Sequence, residues 1–140
     1  MSTNPPDAPN QAQVLGGLTP YLAVDGADKA AEFYTRAFGA KEITRYPVDE
    51  KGRTMHIHLH VNGSSLMLGD FYPEHGHGYQ KPQAFNLTYH SKDIDADWKR
   101  AVDAGAEVVM PVQEMFWGDR YGQLRDPFGV AWSLNQAAAK

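Results

Sequence analysis

The spacing of apolar positions changes period twice along the chain, in the same order each time. "LTPYLAV" (18–24) is a short apolar run that predicts a strand. In "DGADKAAEFYTRAFGA", Ala30, Phe33, Tyr34, Ala37 and Phe38 fall at helical spacing, with an acidic entry and Gly39 as a C-terminal stop. "KEITRYPV" and "TMHIHLHV" return to strand-like alternation with β-branched residues. Asn62-Gly63 is a strong hairpin signal, and "SSLMLGD" comes back from it as the next strand. After the Gly- and Pro-punctuated stretch "YPEHGHGYQKPQ" the order repeats. "FNLTYHS" predicts a strand and "DIDADWKRAVDAG" a helix, with Ile94, Trp98, Ala101 and Val102 on one stripe. "AEVVMPVQEM" predicts another strand, and "YGQLRDP" with "GVAWSLNQ" a closing hairpin pair.

Two landmarks test the repeat. The helix-stop glycines Gly39 and Gly105 lie 66 positions apart, and so do the hairpin glycines Gly63 and Gly129. The chain therefore reads as two copies of one β-α-β-β-β unit, an internal duplication. The fold class expected is α+β. Residues 17–71 form the first unit, 72–84 a linker, 85–136 the second unit and 137–140 a tail. Residues 1–16, rich in Pro, Asn, Gln and Ala, read as a disordered lead-in.

Composition narrows the function classes. A net charge of -4 without any block of like charge argues against a nucleic-acid surface. With 0 Cys, disulfides, thiolate metal sites and cysteine nucleophiles are excluded. No apolar stretch approaches the ~20 residues that span a bilayer. The N-terminus lacks the basic and apolar regions of a secretory signal, so the expected location is cytoplasmic. No Gly-x-Ser-x-Gly elbow, phosphate loop or dinucleotide fingerprint is present.

The most conspicuous chemistry is "MHIHLH" (55–60), three of the 6 His at every second position. Residues i and i+2 of a strand point the same way, so His56 with His58, or His58 with His60, could aim two imidazoles at one ion. Equally, Ile57, Leu59 and Val61 alternate with them, as on any strand with one apolar and one polar face. A two-residue turn at Asn62-Gly63 sets Val61 opposite Ser64, Leu59 opposite Leu66, His58 opposite Met67 and Ile57 opposite Leu68. This pairing puts no carboxylate beside the imidazoles.

The tandem units, together with "LTPYLAVDGADKAAEFYTRAFGA", "LMLGD" and above all "FWGDRYGQLRDPFGVAWSL", resemble the vicinal oxygen chelate superfamily. That superfamily comprises glyoxalase I, extradiol dioxygenases and the fosfomycin- and bleomycin-resistance proteins, and the likeness here is to its PhnB-like branch. It covers roughly residues 17–136. It implies a curved mixed sheet around a cavity, helices on the outer face, and a homodimer. Metal-dependent members carry one ligand on the first and one on the fourth strand of each unit, usually His or Gln and then Glu. Those positions here are Thr19, Met67, Asn86 and Ser133, none of them His or Glu. Such a donor set does not hold a divalent ion tightly. The resemblance thus implies no cofactor at the usual place.

If Met67 and Asn86 face the cavity, alternation adds Thr88, His90, Ala131 and Ser133, joined by Tyr21 and the row His56, His58 and His60. That lining suits a small organic ligand. "MFWGDRYG" (115–122) offers Trp117, Arg120 and Tyr121. They either stack on a planar ligand and grip an anion, or plug the barrel end while Asp119 and Arg120 pair with each other or with Asp126. "RDPFG" reads as turn chemistry, and "EHGHG" as solvated linker. The expectation is a small-molecule-binding, metal-independent homodimer. The alternatives are a lyase or dioxygenase with a metal relocated to the His row, and a metal-free enzyme using His58 or His90 as general acid or base.

Overall fold

The computed structural model describes residues 13–139. The expectation of disorder for residues 1–12, and the end of the tail at Lys140, lie outside the described residues. The two units are present in the expected order. The first contains β1 (Tyr21–Val24), α1 (Ala27–Phe38), β2 (Lys41–Arg45), β3 (Ile57–Val61) and β4 (Ser64–Asp70). The second contains β5 (Leu87–His90), α2 (Ile94–Ala104), β6 (Glu107–Glu114), β7 (Arg120–Arg125) and β8 (Ala131–Gln136). Each forms its own four-stranded mixed sheet, ordered β1-β4-β3-β2 and β5-β8-β7-β6, with the first and fourth strands parallel. The α+β fold of tandem units is thus present, each unit contributing a four-stranded sheet. Among the described residues, no helix is long and apolar enough to cross a membrane.

Register follows from the turns. Asn62 and Gly63, both at positive φ, make the two-residue hairpin, and the expected pairs from Val61↔Ser64 to Ile57↔Leu68 all form. The second hairpin turns through Asp126-Pro127-Phe128-Gly129, and there Arg125 pairs with Ala131 and Gln123 with Ser133. Measured against β4 and β8, β7 is offset by 65 positions from β3, because residues 127–129 join Asp126 to Val130 where Asn62 and Gly63 alone join Val61 to Ser64. The positions of His56, His58 and His60 are therefore those of Tyr121, Gln123 and Arg125.

Each helix is held by the last residue of its own unit's fourth strand. Asp70 Oδ1 accepts the Gly26 and Ala27 amides at 2.9 and 3.0 Å, and its Oδ2 accepts Thr54 N at 2.8 Å. Gln136 Oε1 accepts Ile94 N at 2.8 Å. Both satisfy amides that a helix start leaves without partners. Within α2, Asp93 caps the first turn by accepting Ala96 N.

The core lies where α1 meets both sheets. Leu22, Val24, Ile57, Leu59, Leu66 and Leu68 of the first sheet are buried together with Ala27, Ala30, Ala31 and Ala37 of α1. The same helix sends Phe38 to stack on Trp132 at 4.0 Å and Phe33 to Phe128 at 6.3 Å, so one aromatic cluster joins the units. Asp126 anchors it. Its buried carboxylate accepts from Tyr34 Oη (2.6 Å), Trp132 Nε1 (2.9 Å), Phe128 N (2.8 Å) and Val130 N (3.0 Å). The "RDPFG" motif is structural, as its turn chemistry predicts. Burial and the neighbouring Asp126 carboxylate hold the Tyr34 hydroxyl well above the usual tyrosine pKa.

Candidate functional site

Strand alternation sorts the side chains of each sheet onto a helix-packed face and an open one. In the first sheet Leu22, Val24, Leu66 and Leu68 go to the helices. That leaves Tyr21, the His row and Met67 on the open face, where Met67 stands opposite both Tyr21 and His58. In the second sheet Leu124, Trp132 and Leu134 are buried against the helices. The opposite parity puts Thr88, His90, Tyr121, Gln123, Arg125, Ala131 and Ser133 on the open face.

The three histidines are already engaged. Tyr21 Oη donates to Met55 O at 2.6 Å, so its 3.0 Å contact with His56 Nδ1 is one in which the imidazole N–H donates. His58 is 3% exposed and its Nε2 lies 2.7 Å from Ser65 Oγ. Ser65 Oγ in turn accepts Leu15 N at 2.7 Å, which links the imidazole to the chain before β1. His60 Nε2 donates to Gln13 O. Residues 13–15 thus form a strap across the His row, with Ser65 N donating to Leu15 O at 3.2 Å. Residues 13–15, part of the expected lead-in, are thus seated on β3 and β4 by these contacts.

The same burial acts on charge. Desolvation lowers the pKa of His56, and for His58 it is reinforced by the neighbouring His60 and His56. Among the described residues, no three His, Asp or Glu side chains converge closely enough to hold a metal ion. At the positions where metal-dependent relatives place ligands, Asn86 Oδ1 accepts from Thr88 Oγ1 (3.0 Å) and Ser133 Oγ (3.2 Å). Thr88 Oγ1 and Ser133 Oγ lie 2.9 Å apart, and a hydroxyl that donates across this contact does so in place of its bond to Asn86. The amide and hydroxyls satisfy one another, and Met67 offers a thioether. This donor set does not fit a divalent cation.

The expectations for "MFWGDRYG" need correction. Arg120 has even parity on β7, so it points to the helix side and makes a bidentate pair with Asp95 of α2, both contacts 2.9 Å. It does not reach the open face, and it pairs with neither Asp119 nor Asp126. Asp119 instead accepts Asn135 Nδ2 and Ala138 N. Trp117 is half-exposed and packs beside Phe116 and Tyr121, at 4.8 and 6.3 Å between ring centres. Tyr121 does face the open side, where its hydroxyl accepts Gln123 Nε2 at 3.1 Å.

Two grooves open on these faces. One, of about 430 Å³, lies between the units and is lined by Ser64 and Ser65 on one side and Asn86, Thr88 and His90 on the other. The second, of about 450 Å³, runs along the open face of the second sheet. Its lining includes Asn86, Gln123 and Arg125, and its wall is Lys81 to Phe85. The end of the stretch expected to be a linker thus forms one wall of this groove. Gln123 and Arg125 were missed in the sequence; counting strand alternation back across the turn from Ser133 identifies both.

Comparison with known proteins agrees with this architecture. An uncharacterised protein of Mycobacterium bovis, Mb0911c, is 41% identical over 127 residues, 85% of this chain and 82% of the relative. The crystal structure of PA1353 from Pseudomonas aeruginosa superposes with a TM-score of 0.72 at 27% identity, covering 87% of this chain and 98% of that one. The PhnB protein from Bacillus cereus shares the fold, with a TM-score of 0.70 at 23% identity over 87% of this chain and 100% of its own. The family model described as Glyoxalase/Bleomycin resistance protein/Dioxygenase superfamily matches residues 12–134. With tandem units, strand order and family match in agreement, the chain belongs to the glyoxalase/bleomycin resistance protein/dioxygenase superfamily.

Proposed function

We propose that the protein binds a small organic molecule between the open faces of its two kinds of unit, without a metal, and that a second copy of the chain completes the cavity. The observation that carries the reading is the openness of those faces. Tyr21 is 55% exposed, and Thr88, His90 and Phe85 are exposed as well. A surface that combines phenol, imidazole, hydroxyl and aromatic groups around grooves of about 430–450 Å³ has the size and mixed polarity of a ligand pocket. A facing open surface from a second copy would enclose it, and closed two-fold pairing is the commonest route. The expected partners are therefore a small-molecule ligand and a second copy, with no nucleic acid or membrane partner.

The metal-free part rests on donor chemistry. His58 and His60 each have one ring nitrogen committed to protein partners, and the usual ligand positions hold Thr19, Met67, Asn86 and Ser133. The test is elemental analysis of tag-free protein before and after loading with Zn, Ni, Mn and Fe(II), beside light scattering for mass. A dimer without stoichiometric metal is expected. A near-stoichiometric metal that disappears in His58→Ala would overturn the reading in favour of a lyase or dioxygenase built on the His row. A monomer at every concentration would remove the shared cavity.

A further inference from the structure

The groove on the second sheet has a charge pattern that the proposed function leaves unused. In a chain of net charge -4, its lining includes Lys81 and Arg125 and no carboxylate. Arg125 is part-buried and spends one donor, Nη1, on Gly129 O at 3.2 Å. Glu107 lies opposite it in the β6–β7 register, yet among the described residues no carboxylate comes within ion-pair distance of this guanidinium. Of the other arginines, Arg45, Arg53, Arg100 and Arg120 have such partners, and Arg36 lies over the Phe33 ring. A partly desolvated guanidinium with free donors is built to accept a planar or tetrahedral oxyanion through paired hydrogen bonds.

Two further features mark the groove. Its wall contains Ala84 at φ 70, one of only two non-glycine residues at positive φ among the described residues. A left-handed alanine is strained. Gly129 runs close to this wall: a Cβ there would come 3.6 Å from Pro82 Cδ. Beside the cations lie the apolar side chains of Val109 and Phe85, the latter 48% exposed. Amide groups of Gln123 and Asn86 complete the lining.

We infer that this groove takes a small organic anion, a carboxylate or phosphonate on an apolar body, with Arg125 as the anchor of the anionic group and Phe85 and Val109 against the body. The inference rests on the small-molecule-binding reading and names the ligand class for it.

The test compares benzoate, phenylphosphonate and the neutral isostere benzamide by amide chemical-shift titration of the full chain, wild type and Arg125→Gln. The expected result is binding of at least one anion about tenfold tighter than benzamide, weakened by salt, with shifts centred on residues 81–86 and 123–125. In Arg125→Gln, with folding checked by circular dichroism, the preference should fall to near unity. Stronger binding of benzoate or of phenylphosphonate then assigns the carboxylate or the phosphonate. Anions and benzamide binding alike to the wild type would overturn the anion inference and leave the ligand-binding reading intact. A preference that survives Arg125→Gln would overturn Arg125 as anchor. Absence of binding by all three probes would overturn the groove as a site and count against the ligand-binding reading too. Should Arg125→Gln fail to fold, the location of the shifts and the salt dependence in the wild type decide: shifts elsewhere, or no salt effect, sink the inference.

Discussion

The two units share one scaffold and differ on one face. Asp70 and Gln136 do the same work for α1 and α2, and β1-β4-β3-β2 repeats as β5-β8-β7-β6. On the open faces, register equates His56, His58 and His60 with Tyr121, Gln123 and Arg125, and Met67 with Ser133. One row is imidazole, tied down by a strap of its own chain. The other is phenol, amide and guanidinium, with donors to spare. Helix-facing positions are constrained by packing, whereas open-face positions are free to diverge, so a duplicated unit yields two unlike open faces.

The junction offers the largest test of that comparison. Asp126→Ala strands a phenol, an indole N–H and two amides in the core between the units, and should cost roughly 3–5 kcal/mol in urea denaturation. A loss below about 1 kcal/mol would mean that the units do not depend on this anchor. The close approaches differ between the units. A Cβ on Gly69 would sit 2.4 Å from the Met55 carbonyl oxygen, whereas one on Gly122 would meet the Trp98 ring at 2.6 Å. Backbone yields less than a side chain, so Gly69→Ala should destabilise more than Gly122→Ala, the latter by about 1–3 kcal/mol. The reverse order in thermal melts would contradict this packing.

Protonation separates the open faces themselves. His56 and His58 have folded-state pKa values below the imidazole reference of ~6.5, so the unfolded chain binds more protons as pH falls through that value. The stability they contribute is present above ~6.5 and is lost on acidification towards their folded values. Urea midpoints should therefore drop on going below that pH, and His58→Gln should flatten the drop. An unchanged pH profile in the variant would show that His58 is not held neutral by burial. The smallest effect is expected for Arg120→Ala, whose pair with Asp95 lies at the solvent-facing side of α2. Melting temperature and ligand affinity should stay at wild-type values, in contrast to Arg125→Gln; a loss of affinity would return Arg120 to the site.

Much of this was legible in the residues. The period changes placed the helices and strands, and the Asn62-Gly63 turn fixed the β3–β4 register pair by pair. The His row lay on the face that alternation assigned to it. What escaped was parity across the second hairpin. Its longer turn shifts the offset from 66 to 65, which turns Arg125 to the open face and Arg120 to α2. A one-residue change in register flips every side chain of a strand.

The sequence by itself determined the duplication, the secondary structure and the family resemblance, because these depend on local periodicity and turn chemistry. Only the tertiary structure decided which donors are spent. Whether His58 faces a ligand or Ser65, whether Arg120 pairs with Asp95, and whether Arg125 is left without a carboxylate all depend on residues far apart in the chain. Contacts of that kind are set by how the sheets and helices pack, which no local pattern encodes.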